Sequence, residues 1–68
     1  MNKNYLKQEL FKKTGSKHIM EACYKAENDT GIKWKSIYDF VQGRSIPRIE
    51  SLIILRNYLQ LDLNKTIL

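Results

Sequence analysis

"GIKWKSIYDFVQGRSIP", Gly31 to Pro47, decides how this chain is read. Between Lys33 and Gln42 the apolar residues Ile37, Phe40 and Val41 fall on one side of a helix, with Ile32 just before them. Gly43 follows at the place where a helix ends in left-handed backbone, which glycine adopts without a Cβ penalty. The stretch therefore predicts a short helix over 33–42 closed by glycine. Its opening turn breaks a local rule. Lys33 and Lys35 flank Trp34 where the helix macrodipole is positive, a cost of about 0.3 kcal/mol or more for each lysine. Such violations are expected at functional sites.

Toward the N-terminus, Ile19, Ala22, Cys23 and Ala26 recur at i, i+3, i+4 and i+7, one continuous apolar face of a second helix. Ser16 is placed to cap that helix, and "NDTG", Asn28 to Gly31, to end it. Before it, residues 3–13 set Leu6 and Leu10 one turn apart. After the Gly43–Pro47 loop, Ile49, Leu52, Leu55 and Leu59 are expected on the core side of a further helix. "LDLNKTIL", Leu61 to Leu68, predicts a last short helix with Asp62 as its cap. No alternating pattern predicts a strand. The fold class expected is all-α with five helices, a single domain over 1–68.

The net charge of +5 is unevenly spread. Residues 1–25 hold six lysines against Glu9 and Glu21, whereas residues 50–68 balance Arg56 and Lys65 against Glu50 and Asp62. A basic front and a neutral, apolar back suggest a polyanion on one side and protein on the other. One cysteine excludes an internal disulfide, and no Cys/His spacing suggests a metal site. The N-terminus carries no apolar signal core and no run reaches membrane-spanning length, so a cytoplasmic protein is expected. No paired carboxylates, activated nucleophile or phosphate-binding glycine loop is present, which argues against an enzyme and against a cofactor. Tyr5, Tyr24, Tyr38 and Tyr58 are scattered in sequence and predict no stacking platform for single-stranded RNA.

A small-residue helix, a turn with glycine and a short helix with a polar outer face match the helix-turn-helix arrangement, whose second helix enters the major groove. From Gly31 to Leu63 the chain resembles the phage Cro and lambda-repressor-like helix-turn-helix domains. The turn Gly31-Ile32, Ile37 and Phe40, Gly43-Arg44, Pro47, and then Ile49, Leu52, Leu55, Leu59, Leu61 and Leu63 fall at that family's spacing. The resemblance implies a helix-turn-helix core over about 16–43, C-terminal helices over about 47–68, and a bacterial or phage-encoded, nucleoid-associated protein. Four positions depart from the family's pattern. Gly31 lies further from the first helix than usual, predicting an extended second helix or turn. Lys33 stands where the family has a Ser or Thr cap, Gln60 where it has glycine, and Arg56 where it has a small residue.

The function expected is sequence-specific binding of double-stranded DNA by a transcriptional regulator. Lys33, Trp34, Lys35, Tyr38 and Gln42 are the candidates for base edges; Ser16, Lys17, His18, Arg44 and Arg48 are those for phosphates. Trp34 has two readings: a contact to the sugar-phosphate edge or a thymine methyl, or a lid folded over Tyr38 or the first helix. Asp39 either reads cytosine or orients Lys35; the second is favoured, because an unpaired carboxylate is repelled by DNA. A homodimer through Ile53, Ile54, Tyr58, Ile67 and Leu68 is expected to read a palindromic operator. The rival function is a helix-turn-helix-derived module, an antirepressor or inhibitor, that binds another protein.

Overall fold

In the computed structural model, which describes residues 3–61, helix follows helix: α1 is Lys3–Thr14, α2 is Ile19–Thr30, α3 is Trp34–Val41 and α4 is Ile49–Leu59. No strand occurs among the described residues, so the class is all-α. The expected fifth helix falls mostly on residues 62–68, outside the described residues.

The core assembles at the positions that periodicity marks. Leu6 and Leu10 of α1, Ala22, Cys23 and Ala26 of α2, Ile37, Phe40 and Val41 of α3, and Leu55 and Leu59 of α4 are buried together, with Ile32 and Leu61. The small residues of α2 let the neighbouring helices approach closely, and α3 packs directly onto it. Phe40 is the largest fully buried side chain, so α3 is anchored from beneath.

Helix ends follow backbone chemistry. Gly43, at φ 74°, closes α3: its N–H donates to Phe40 O at 3.1 Å and that of Arg44 to Asp39 O at 2.8 Å, the paired bonds of a Schellman motif. Gly31, at φ 79°, closes α2 with its N–H on Glu27 O at 2.8 Å. α4 instead ends on Gln60 in left-handed backbone at φ 55°, a conformation costly for a residue with a Cβ.

Several expectations are corrected. Ser16 does not cap α2, which begins after His18 with no side-chain cap. Ser16 is buried, its hydroxyl donating to Glu21 Oε1 at 3.4 Å and its N–H to Thr14 Oγ1 at 3.4 Å. The competing partner in the first turn, Glu21, captures the hydroxyl. "NDTG" does end α2 as expected, with Gly31 as the stop after a helix that runs through Thr30. The residues before Gly31 thus belong to the helix and not to the turn. Ile49 does not face the core but is 64% exposed. At about 100° per residue, six positions place it about 120° from Leu55, so a run of i+3 steps drifts off the buried stripe.

Candidate nucleic-acid interface

α2 and α3 are joined by a three-residue turn, Gly31 to Lys33. Side-chain and backbone hydrogen bonds hold the turn, in which the Gly31 N–H donates to Glu27 O at 2.8 Å. Thr30 Oγ1 donates to Ala26 O at 2.7 Å and accepts from Ile32 N–H at 3.2 Å. At the start of α3 the N-cap position is Lys33, whose side chain makes no cap. The cap comes from α2: Glu27 Oε2 accepts from the Trp34 N–H at 3.0 Å. A carboxylate therefore sits at the positive end of the α3 dipole, where it is favourable. It offsets the two lysines that break the local rule. Sequence reading misses Glu27, since its partner lies seven residues on. The available signal is a carboxylate four residues ahead of a helix-ending glycine, a position from which it can reach the next helix.

The candidate base-reading residues divide between two sides of α3. Lys33 and Lys35 are exposed and line a groove of about 800 Å3 between the start of α3 and the start of α4. Arg48, Asp39, Ile46 and the hydroxyl residues Ser36, Ser45 and Ser51 share it. Lys35 Nζ lies 4.0 Å from Asp39 Oδ2, so Asp39 acts as the partner of Lys35, one turn away. The three serines are further residues that the sequence alone does not single out. They gain meaning only when the fold brings Ser45 of the loop and Ser51 of α4 to the same groove as Ser36.

Trp34 and Tyr38 take the other side. Trp34 is half-buried, its ring edge-on to Tyr24 of α2 at 5.7 Å between centroids and to Tyr38 at 6.5 Å. The lid reading thus describes its packing, over Tyr24 of α2 and Tyr38. Arg44 extends the row with its guanidinium carbon 5.5 Å from the Tyr38 centroid. Tyr24 and Tyr38, scattered in sequence, are neighbours of Trp34 in space. Gln42 is half-buried at the C-terminal end of α3.

Among the candidate phosphate contacts, Lys17, His18, Arg44 and Arg48 are exposed. Ser16 is not; its burial beneath Glu21 removes it from an outward-facing set. Of the residues expected at a dimer interface, Ile53 and Ile54 are exposed, while Ile67 and Leu68 lie outside the described residues. Tyr58 turns inward onto its own chain: its hydroxyl donates to Asp29 Oδ2 at 2.6 Å, and Lys13 Nζ stands 5.2 Å from its ring centroid. Burial and the Asp29 carboxylate together push the phenol up to about 12.

No group of three or more His, Cys, Asp or Glu able to hold a metal occurs among the described residues, and no described helix is long and apolar enough to cross a membrane. Cys23 is buried in the core, where burial pushes the thiol up to about 11 and leaves little reactive thiolate. Compared with protein-family models, with curated proteins and with solved structures, the chain finds no match.

Proposed function

We propose that the chain is a sequence-specific, double-stranded DNA-binding transcriptional regulator of the Cro and lambda-repressor-like helix-turn-helix type, acting from the bacterial cytoplasm or nucleoid. One observation carries this reading. The α3 dipole is met internally by Glu27, while Lys33 and Lys35 remain exposed beside Arg48. Exposed cations at a helix tip, of which only Lys35 has a carboxylate beside it, suit an external polyanion, where counterion release repays their placement. Lys35, Tyr38 and Gln42, which lie at i, i+3 and i+7 along the outer face between those two sides, then face base edges, with Lys33 and Trp34 at the flanks. Lys17, His18, Arg44 and Arg48 hold phosphates.

Two copies reading a palindrome belong to the same proposal. Half-sites stand about 34 Å apart along the duplex, whereas the longest extent of one copy is 26 Å. Exposed Ile53 and Ile54 supply apolar surface for association.

Duplex binding measured across a salt series tests the reading. Lys17, Arg44 and Arg48 replaced by Ala each weaken all duplexes alike and reduce the salt slope by roughly one. Gln42→Ala changes the preferred sequence at one base position, by about 1–3 kcal/mol. An unchanged preference removes Gln42 from the base-reading set.

The rival, a protein-binding antirepressor or inhibitor, is favoured by one feature. Ile46, 65% exposed, stands in the cationic groove beside Asp39, a mixture better suited to a protein than to a duplex. Absence of duplex binding at low salt selects the rival.

A further inference from the structure

Folding gathers aromatic residues that the sequence scatters. Tyr24 of α2 and Trp34 and Tyr38 of α3 stand in one row, 5.7 Å and 6.5 Å between successive ring centroids. The rings meet edge to face, at 65° and 67°. Such a contact spends at most one face of one ring in each pair, so the three do not close on one another. Nor is the row sealed from outside: Tyr24 is 50% exposed, and Trp34 and Tyr38 are half-buried. Both ends are cationic. Arg44 lies over the Tyr38 ring at 5.5 Å and pairs with no carboxylate among the described residues. Past Tyr24, a cleft between α1 and α2 carries Lys13 and Lys25. The carboxylates near the row are already engaged. Glu21 faces Lys25 at 3.6 Å, Glu27 caps α3, and Asp29 accepts from Tyr58.

We propose that this row is a platform for single-stranded nucleic acid, with unpaired bases against Tyr24, Trp34 and Tyr38 and phosphates on Arg44 and Lys13. Stacking on an aromatic ring needs no particular base, and an arginine beside the rings adds a planar cation. Charge decides between the partners that an aromatic row attracts. Proline-rich peptides also dock among such rings, but Arg44 and Lys13 offer a neutral peptide nothing, whereas a phosphate backbone meets both. The inference goes beyond the duplex reading above, since a paired base shows a groove only its edge and the row takes a base by its face. The two ligands share Trp34, Tyr38 and Arg44, so they compete. Tyr24 serves the single strand alone, while Lys35 and Arg48, in the groove on the other side of α3, serve the duplex.

Trp34 is the one tryptophan of the chain, so its fluorescence reports on the row directly. The test is titration at low salt with oligo(dT), oligo(U) and an abasic strand of equal length. The oligonucleotides are expected to quench Trp34, and the abasic strand to bind roughly tenfold more weakly. Tyr24→Leu keeps apolar bulk without the ring; it is expected to weaken single-strand binding about fivefold or more and to leave duplex affinity unchanged. Tyr24→Phe retains binding. A preference for oligo(dT) or for oligo(U) assigns the natural strand as DNA or RNA. Equal binding of the abasic strand overturns the stacking. So does a Tyr24→Leu chain, folded by circular dichroism, that binds as tightly as the parent. Failure of both oligonucleotides to bind overturns the platform whether or not a duplex binds; Lys35→Ala, expected to weaken only the duplex, reports on that reading separately. A proline-rich peptide that quenches Trp34 in their place assigns the row to a protein and likewise overturns the proposal.

Discussion

α3 and α4 divide their apolar residues in opposite ways. In α3 every aliphatic residue, with Phe40, is buried, and the remaining surface carries Lys35, Ser36, Tyr38 and Asp39. In α4 Leu55 and Leu59 are buried, yet Ile49, Ile53 and Ile54 remain outside. The two helices sit in one small domain and meet one core, so folding alone does not demand the extra isoleucines. A sorted helix is committed to a polar neighbour such as water or a polyanion. A helix apolar on both sides has a second apolar commitment.

The sharpest test of that contrast replaces one apolar residue from each helix. Phe40→Ala is expected to cost about 3–5 kcal/mol, comparable to the whole stability of so small a core, and to abolish the cooperative urea transition. Ile53→Ala, measured at concentrations where the chain is monomeric, is expected to change stability by no more than about 0.5 kcal/mol. A loss above about 2 kcal/mol for Ile53 would break the comparison, because such a cost belongs to buried side chains.

The helices also differ in how they are held at their starts. α3 borrows its cap from Glu27, so Glu27→Ala is expected to cost about 1 kcal/mol and to speed hydrogen exchange at the Trp34 amide. Glu27→Gln, which keeps an acceptor but not the charge, should recover part of it. The polar anchor of α4 is Tyr58 on Asp29, and Tyr58→Phe is expected to cost about 0.5–1.5 kcal/mol. This anchor has a pH signature. Cys23 and Tyr58 ionise near 11 and 12 in the folded chain, against ordinary values of 9.0 and 10.0. Their neutral forms are the ones that folding favours, so the stabilisation is complete below pH 9.0 and is lost as pH rises through 12. Urea midpoints across that window should fall for the parent chain and fall less for Tyr58→Phe. Smallest of all, Gln60→Gly relieves left-handed backbone at the end of α4 and is expected to raise stability by about 0.5 kcal/mol.

The inner half of this molecule was legible in the sequence, because periodicity reports which side of a helix meets the core. Leu6, Leu10, Ala22, Cys23, Ala26, Ile37, Phe40 and Val41 all lie where their spacing puts them. Gly31 and Gly43 announced two helix ends through a backbone preference peculiar to glycine. The contacts between helices were not legible. Ser16 looked like a cap until Glu21 claimed its hydroxyl, and Lys33 looked uncapped because its relief comes from Glu27 on another helix. Tyr58 looked like interface because α4 alone does not reveal that Asp29 and Lys13 stand beside it. The groove at the start of α3 depends on the Gly43–Pro47 loop, whose path local pattern does not encode.

The Glu27 bond to α3 has a consequence for the order in which the chain folds. Eight residues are too few for a helix to persist alone in water, where nucleation is costly and isolated helices of about 12 residues are already marginal. α3 is therefore expected to form together with α2, whose Glu27 closes its first turn. The two helices become one cooperative unit with a short loop, cheap to close and quick to form. Glu27→Ala is accordingly expected to slow refolding in stopped-flow measurements. The helix with the most exposed chemistry is thus the one whose existence is conditional on its neighbour.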